Sequence, residues 1–211
     1  MLLKDPKTFT LQHRAMFAMF IFSMVYLFGM VKLEEYAGAL NTEIETSKIL
    51  IGDQSSANIV TGAQRIFGLF DQGLLPMRDN LDQANKSNKY RVLSKMGDNV
   101  LEAADKVRLL IYQMCYRLFL LKYWFLTGLP LVIALIYEGV KIRSIKMYEF
   151  GNTSDSRMRL WSKFIGFTVI ILNIYLIFPY SGEFGALFPP TVMLIIGIVF
   201  RNMLTHLSKS F

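Results

Sequence analysis

The chain has 211 residues, of which 53% are hydrophobic, and it carries a formal net charge of +7. A single cysteine, Cys115, excludes an internal disulfide and a cysteine-based metal cluster, and the two histidines, His13 and His206, lie far apart in sequence. Glycine-rich phosphate loops and the short motifs of zinc proteases and serine hydrolases do not occur. We therefore expect no enzyme activity: no catalytic residue, no metal and no cofactor.

Four apolar stretches account for more than a third of the chain, and each reaches the length of a membrane-spanning helix, about 17 to 25 residues. In chain order they are residues 15–31, 118–137, 164–180 and 184–200. The sequence thus predicts an all-α integral membrane protein with four transmembrane helices. The bilayer is its first expected partner.

Two of these stretches have an alternative interpretation to a membrane span. The first stretch could be a secretory signal peptide cleaved at Ala37-Gly38-Ala39, although it is longer than the usual apolar core and charged residues separate it from that site. The proline pair Pro189-Pro190 could turn the fourth stretch into a re-entrant segment. We expect instead that the pair lies near the first turn of a complete span, where a missing N–H costs little.

Positive charge predicts the orientation of the spans. Residues 1–14, 138–163 and 201–211 together hold eleven Lys and Arg against four acidic residues, whereas the short loop 181–190 has no basic residue. Basic residues beside spans remain on the cytoplasmic side. We therefore expect a cytoplasmic N-terminus, a basic cytoplasmic loop over 138–163 and a cytoplasmic tail, with residues 32–117 and 181–190 outside.

Residues 32–117 form the predicted extracytoplasmic domain, with eleven basic and eleven acidic residues. Apolar residues recur in it at steps of three and four, which is typical of packed helices. We expect a helical bundle of two long helices, continuous with the first and second spans, and a third helix that stops near Pro76, followed by a loop over 79–89. The three stripes are Leu33, Ala37, Leu40, Ile44, Ser47 and Ile51; Ile59, Ala63, Ile66, Phe70 and Leu74; and Val100, Ala104, Val107, Ile111, Met114 and Leu118.

Two kinds of side chain in this domain have competing interpretations. Phe67, Phe70 and Leu74, with Leu69 and Leu75 beside them, offer more apolar surface than one helix face uses, so they form either the core of the bundle or an interface with a partner. The acid pairs Glu34-Glu35 and Glu43/Glu45 are predicted to lie on solvated helix faces rather than to act as catalytic carboxylates.

Lys122 and Asn173 are the polar residues closest to the predicted hydrocarbon region. Lys122 lies four residues into its span, where its ammonium can reach the interface and anchor the helix. Asn173 lies in mid-span and is expected to hydrogen-bond a neighbouring helix. A pump or carrier usually has several such groups along one path.

The basic loop 138–163 is the best candidate for specific docking, through Glu138, Arg143, Arg157 and Arg159. Contact with anionic lipid headgroups and orientation of the spans is the first interpretation, and docking of a protein is the second. Direct binding of nucleic acid is not expected.

Residues 123–181 resemble a family of membrane proteins found in integrating conjugative elements and conjugative plasmids. The resemblance rests on a span containing a proline, then an acidic residue and glycine, an arginine and an isoleucine, a stretch with serines, and a second span ending near a proline. Here these are Pro130, Glu138-Gly139, Arg143, Ile145, Ser154, Ser156 and Pro179, with Glu138 where the family has aspartate. The resemblance implies a bacterial inner-membrane protein encoded among DNA-transfer or type IV secretion genes.

Together, these features predict a non-enzymatic, multi-pass inner-membrane subunit of a conjugative DNA-transfer or type IV secretion-like assembly. It would act as a scaffold or docking component, with other membrane subunits or a second copy of the chain as partners. One alternative is a receptor with a ligand-binding outer bundle. Another is a small oligomeric channel or carrier.

Overall fold

The computed structural model describes residues 6–87, 91–148, 155–179 and 182–206, which form six helices and, within these ranges, no strand. The helices are α1 (Pro6–Gly29), α2 (Leu33–Ile51), α3 (Asp53–Ser87), α4 (Arg91–Tyr148), α5 (Asp155–Ile177) and α6 (Glu183–Thr205). The predicted all-helical class is therefore confirmed.

Three helical segments are long and apolar enough to cross a membrane, and they contain most of the second, third and fourth predicted stretches. The segments are Gly97–Lys146 within α4, Arg157–Ile177 in α5 and Glu183–Thr205 in α6. The first predicted stretch lies mostly in α1, several of whose side chains fall outside the described part of the chain. A fourth span therefore stays a prediction.

The chain divides into two compact units. The first comprises Met1–Leu120 with Leu176–Ala186, and the second comprises Leu121–Tyr175 with Leu187–Phe211. The first unit thus joins the three N-terminal helices and the N-terminal half of α4 to the connection between α5 and α6.

In the first unit, α3 packs antiparallel to α4. The rings of Phe67 and Tyr112 meet edge to face with centroids 5.5 Å apart. Further contacts follow in opposite directions along the two helices, from Gly62–Phe119 through Asp71–Arg108 to Arg78–Asp105. Two ring contacts are thus followed by two ion pairs along one helical face, and together they fix α3 on α4.

Helix α2 lies across α4 rather than alongside it. Tyr36 contacts Gln113 and Ser47 contacts Tyr116. At a rise of 1.5 Å per residue, Tyr36 and Ser47 are about 16 Å apart along α2, whereas their partners Gln113 and Tyr116 are only about 5 Å apart along α4. The crossing is possible because the chain turns twice: at Lys32, which is extended, and at Gly52, whose φ of 83° suits glycine.

The prediction of two long helices continuous with spans is therefore half right. It is wrong for the first, because α1 ends at Gly29 and α2 begins separately at Leu33. It is confirmed for α4, which is one helix of 58 residues that includes Pro130.

Two expected breaks do not occur. Helix α3 passes Pro76 and continues to Ser87, so the predicted stop at Pro76 and the predicted loop are wrong as far as residue 87. Residues 88 and 89 lie outside the described residues. The ion pair of Arg78 with Asp105, 2.8 Å long, holds the turn after Pro76 against α4. The polar residues 79–87 therefore belong to a helix, not to a loop.

Helices α4 and α6 both extend into segments that were predicted as loops. Helix α4 continues past Gly139 to Tyr148, into the predicted loop 138–163. Helix α6 begins at Glu183, so Pro189 and Pro190 lie in its second turn rather than near its first. The helix runs on without interruption, as a complete span requires.

In the second unit, α4 and α6 run parallel and approach closely at glycines. A Cβ on Gly139 would lie 2.7 Å from the backbone oxygen of Arg201, and one on Gly197 would lie 2.6 Å from Leu135. Gly128 makes a looser contact with Met193. Small residues at such crossings let two membrane helices pack backbone to backbone.

Candidate functional site: a buried polar network

The centre of the first unit is an ion pair between Glu43 of α2 and Arg117 of α4. Both side chains are almost fully buried, with exposed fractions of 1% and 0%. The guanidinium donates through Nε to Oε1 at 2.8 Å and through Nη2 to Oε2 at 2.7 Å. This two-point geometry is the strongest form of the interaction, and it holds the α2–α4 crossing at one position.

The connection between α5 and α6 completes the environment of this pair. Arg117 Nη1 donates at 2.7 Å to the carbonyl of Phe178, the residue that follows α5. The Glu43 carboxylate lies against Gly185 in the first turn of α6, where an added Cβ would be 2.5 Å from Oε2. The cation therefore faces a carbonyl just after the C-terminus of α5, and the anion faces the N-terminus of α6, which favours both charges.

Gln113 extends the network from Arg117 to Tyr36. A guanidinium only donates, so the amide oxygen of Gln113 must face Arg117 and its amide nitrogen must donate to the Tyr36 hydroxyl. Burial raises the pKa of Tyr36 well above its usual value, so the phenol stays protonated. A separate hydroxyl pair, Ser47 with Tyr116, lies on the adjoining turn of both helices.

An apolar cluster adjoins these polar groups. Val31, Tyr36 and Leu110 are buried together, and Met24 and Tyr26 of α1 pack on them. Tyr26 also stacks on Phe178 with ring centroids 6.0 Å apart, and Ser23 donates to the carbonyl of Ile177 at 3.2 Å. The end of α1 is thus fastened to the same connection that Arg117 contacts.

The sequence prediction for this region is wrong in one instructive way. Glu43, predicted to be solvated, is buried, and so is Arg117, to which no apolar pattern in the sequence points. Four buried residues of α4, Lys106, Leu110, Gln113 and Arg117, each lie one residue before a member of the predicted stripe, and Cys115, Tyr116 and Leu120 are buried beside them. On α2 the buried positions are Tyr36, Leu40, Glu43 and Ser47. The buried faces of both helices could have been found from the same spacing of three and four residues, if polar residues had been counted along with apolar ones.

The candidate interface on α3 is partly exposed. Phe67 is half-buried against Tyr112, and Leu74 is also half-buried. Phe70 is 55% exposed, beside Leu69 at 70% and Ile66 at 39%. We call Ile66, Leu69 and Phe70 the α3 apolar face. It lies outside the three segments that are able to span a membrane.

The two candidate polar residues of the spans occupy different settings. Lys122 is exposed. Asn173 donates at 2.8 Å to the carbonyl of Val169 in its own helix. That bond uses one of the two amide N–H groups, and the expected bond to a neighbouring helix stays a prediction.

The four candidate docking residues at the other end of the spans do not form one cluster. Glu138 is paired with Arg201 of α6 at 2.5 Å, whereas Arg143 is half-buried and Arg157 and Arg159 are exposed. Arg157 belongs instead with Lys146 and His206. The pKa of His206 is lowered by burial first, and then by the charges of Lys146 and Arg157.

This geometry binds segments of the chain to one another. In the part of the chain that the structure describes, no group of three or more His, Cys, Asp or Glu side chains could hold a metal ion.

One family model, described as IncC plasmid conjugative DNA transfer protein DtrJ-like, matches residues 30–211. This confirms the resemblance to conjugative-element proteins and extends it beyond residues 123–181. No curated protein and no solved structure matches the chain.

Proposed function

The chain belongs to the DtrJ-like family of IncC plasmid conjugative DNA transfer proteins, and on this premise we propose how it takes part in conjugative DNA transfer. It acts as a non-enzymatic inner-membrane subunit of the transfer apparatus, a type IV secretion-like assembly. Its role is to hold other membrane subunits in position. Both termini and residues 138–163 lie in the cytoplasm, and residues 32–117 lie outside.

The observation that carries this proposal is the α3 apolar face. Three large side chains that lie outside the candidate spans are exposed on a helix that is itself held rigidly on α4 by Asp71–Arg108 and Arg78–Asp105. An exposed apolar patch on a fixed support is the usual form of a protein interface. The buried charges support the same role, because Glu43 and Arg117 bond to each other and to backbone, an arrangement suited to rigidity.

Charges placed on the α3 apolar face should abolish docking without unfolding the protein. We expect the double variant Leu69→Glu/Phe70→Glu to lower the transfer frequency by about tenfold or more, since apolar anchors dominate interfaces. Both residues are exposed, so the free energy of unfolding should change by less than about 1 kcal/mol. Transfer is measured from donor cells whose own copy of the gene is deleted and replaced by the variant.

The control adds the same two charges to the same helix at exposed polar positions, as Gln64→Glu/Gln72→Glu. It should leave transfer unchanged. A photo-crosslinking residue at position 69 then identifies the partner by mass, either another membrane subunit or a second copy. Normal transfer by the Leu69/Phe70 variant at normal membrane abundance, or an equal loss in the control, would refute docking through this face.

A further inference from the structure

An apolar groove lies between α5 and α6 in the second unit. It encloses about 140 Å³, and its wall is formed by Ile165, Val169, Leu172, Ile196, Val199 and Phe200. The hydroxyl of Thr168, which also lines it, is bonded to the carbonyl of Phe164 at 2.9 Å and offers no free polar group. Both helices are long and apolar enough to span a membrane, so the groove opens to hydrocarbon.

The wall of the groove continues along both helices to a group of basic side chains. One face of α5 carries Arg157, Trp161 and Ile165, which are four residues apart. One face of α6 carries Val199, Met203 and His206, at spacings of four and three. Arg157 begins one candidate span and His206 follows the last residue of the other. Lys146 lies two turns beyond Gly139, where α4 meets α6 at Arg201, so it is at the same end of the helices as His206. Burial lowers the pKa of His206 first, and the nearby charges of Lys146 and Arg157 lower it further. We call Lys146, Arg157 and His206 the basic end.

We propose that the groove and the basic end together form a binding site for one anionic phospholipid. An acyl chain occupies the groove between α5 and α6, and the phosphate lies between Lys146 and Arg157. A guanidinium and an ammonium at the end of an apolar slot match both halves of such a molecule. Nucleic acid would bind the charges of the basic end and leave the groove empty. A phospholipid explains both the charges and the groove, so we favour it.

The test compares two phospholipids with the same acyl chains on the full-length protein in an uncharged detergent. Phosphatidylglycerol and phosphatidylcholine are added in turn, and bound lipid is counted by native mass spectrometry. We expect phosphatidylglycerol to bind about tenfold more tightly or better. The variant Lys146→Gln/Arg157→Gln should lose that preference, because both headgroup charges are gone.

The matched control is Lys141→Gln/Lys163→Gln, which removes the same charge from the same end of the helices. Lys163 is exposed and lies two residues before Ile165, so it is on the opposite side of α5 from the groove, and Lys141 lies over the Tyr137 ring, 5.2 Å from its centre. This variant should bind phosphatidylglycerol within about twofold of the parent protein, as distant surface charges contribute little.

A third variant tests the groove without changing any charge. Val169 is 53% exposed, so Val169→Trp fills the groove from its open side and leaves the helix contact in place. It should also lose phosphatidylglycerol. Equal binding of the two lipids, equal loss in both charge variants, or full binding by Val169→Trp would overturn the proposal. So would displacement of the lipid by equimolar inorganic phosphate or by a short single-stranded DNA.

Discussion

Replacing Arg117 by alanine is expected to lower the free energy of unfolding by about 3–5 kcal/mol, the largest effect of any single change proposed for this protein. The reason is that Glu43 would remain buried as an uncompensated anion, with its carboxylate pressed against Gly185. The Phe178 carbonyl would lose its donor at the same time. Denaturant unfolding of the full-length protein in detergent, followed by circular dichroism, measures the change.

The paired variant separates the charge effect from loss of packing. Glu43→Leu/Arg117→Leu removes both charges and keeps much of the volume, so it should recover most of the stability that Arg117→Ala loses. Arg65→Ala, at an exposed position on α3, serves as the control and should change stability by no more than about 0.5 kcal/mol. If the paired variant is as unstable as Arg117→Ala, an unpaired buried charge is not the cause.

Two glycine-to-alanine changes are expected to have opposite signs. Gly68→Ala should stabilise the protein by about 0.5–1 kcal/mol, because alanine favours a helix and nothing lies within 4 Å of the new Cβ. Gly139→Ala should destabilise it by about 1–3 kcal/mol despite the same helix preference. Its Cβ would lie 2.7 Å from the backbone oxygen of Arg201, and backbone yields less readily than a side chain.

The same unfolding measurement compares the two glycine variants. The ion pair of Glu138 with Arg201 tests why Gly139→Ala destabilises the protein. If the new Cβ moves α6 away from Gly139, it also separates that pair. Adding Glu138→Gln should therefore cost less stability in the Gly139→Ala protein than in the parent. Stabilisation by Gly139→Ala would show that α4 and α6 do not meet at this glycine.

The sequence predicts the gross organisation of this protein well. Long apolar stretches mark three helices able to cross a membrane, because a bilayer imposes a minimum length on any span. The unbroken helix α4 follows from its continuous periodicity, and the family follows from the residues around Glu138-Gly139. Each of these features is encoded within one stretch of chain.

The buried network could not be predicted because it depends on pairing between distant residues. Apolar periodicity ranks Leu33, Ala37 and Ile44 above Glu43, and only the crossing of α2 over α4 buries Glu43 beside Arg117. That crossing in turn depends on the break after Gly29, where no proline marks the end of α1. The exposure of a side chain also depends on distant residues. Phe67 and Phe70 look alike in sequence, but only Phe67 packs on Tyr112.

The closure of the Glu43–Arg117 pair by Phe178 has a consequence for biosynthesis. The ribosome makes Phe178 61 residues after Arg117, and Gly185 later still. Until then the guanidinium lacks the Phe178 carbonyl, and the N-terminal helices lack the connection on which they rest. The network of the first unit therefore closes only after the start of α6 has been synthesised, so a prematurely terminated chain would carry an unfinished fold.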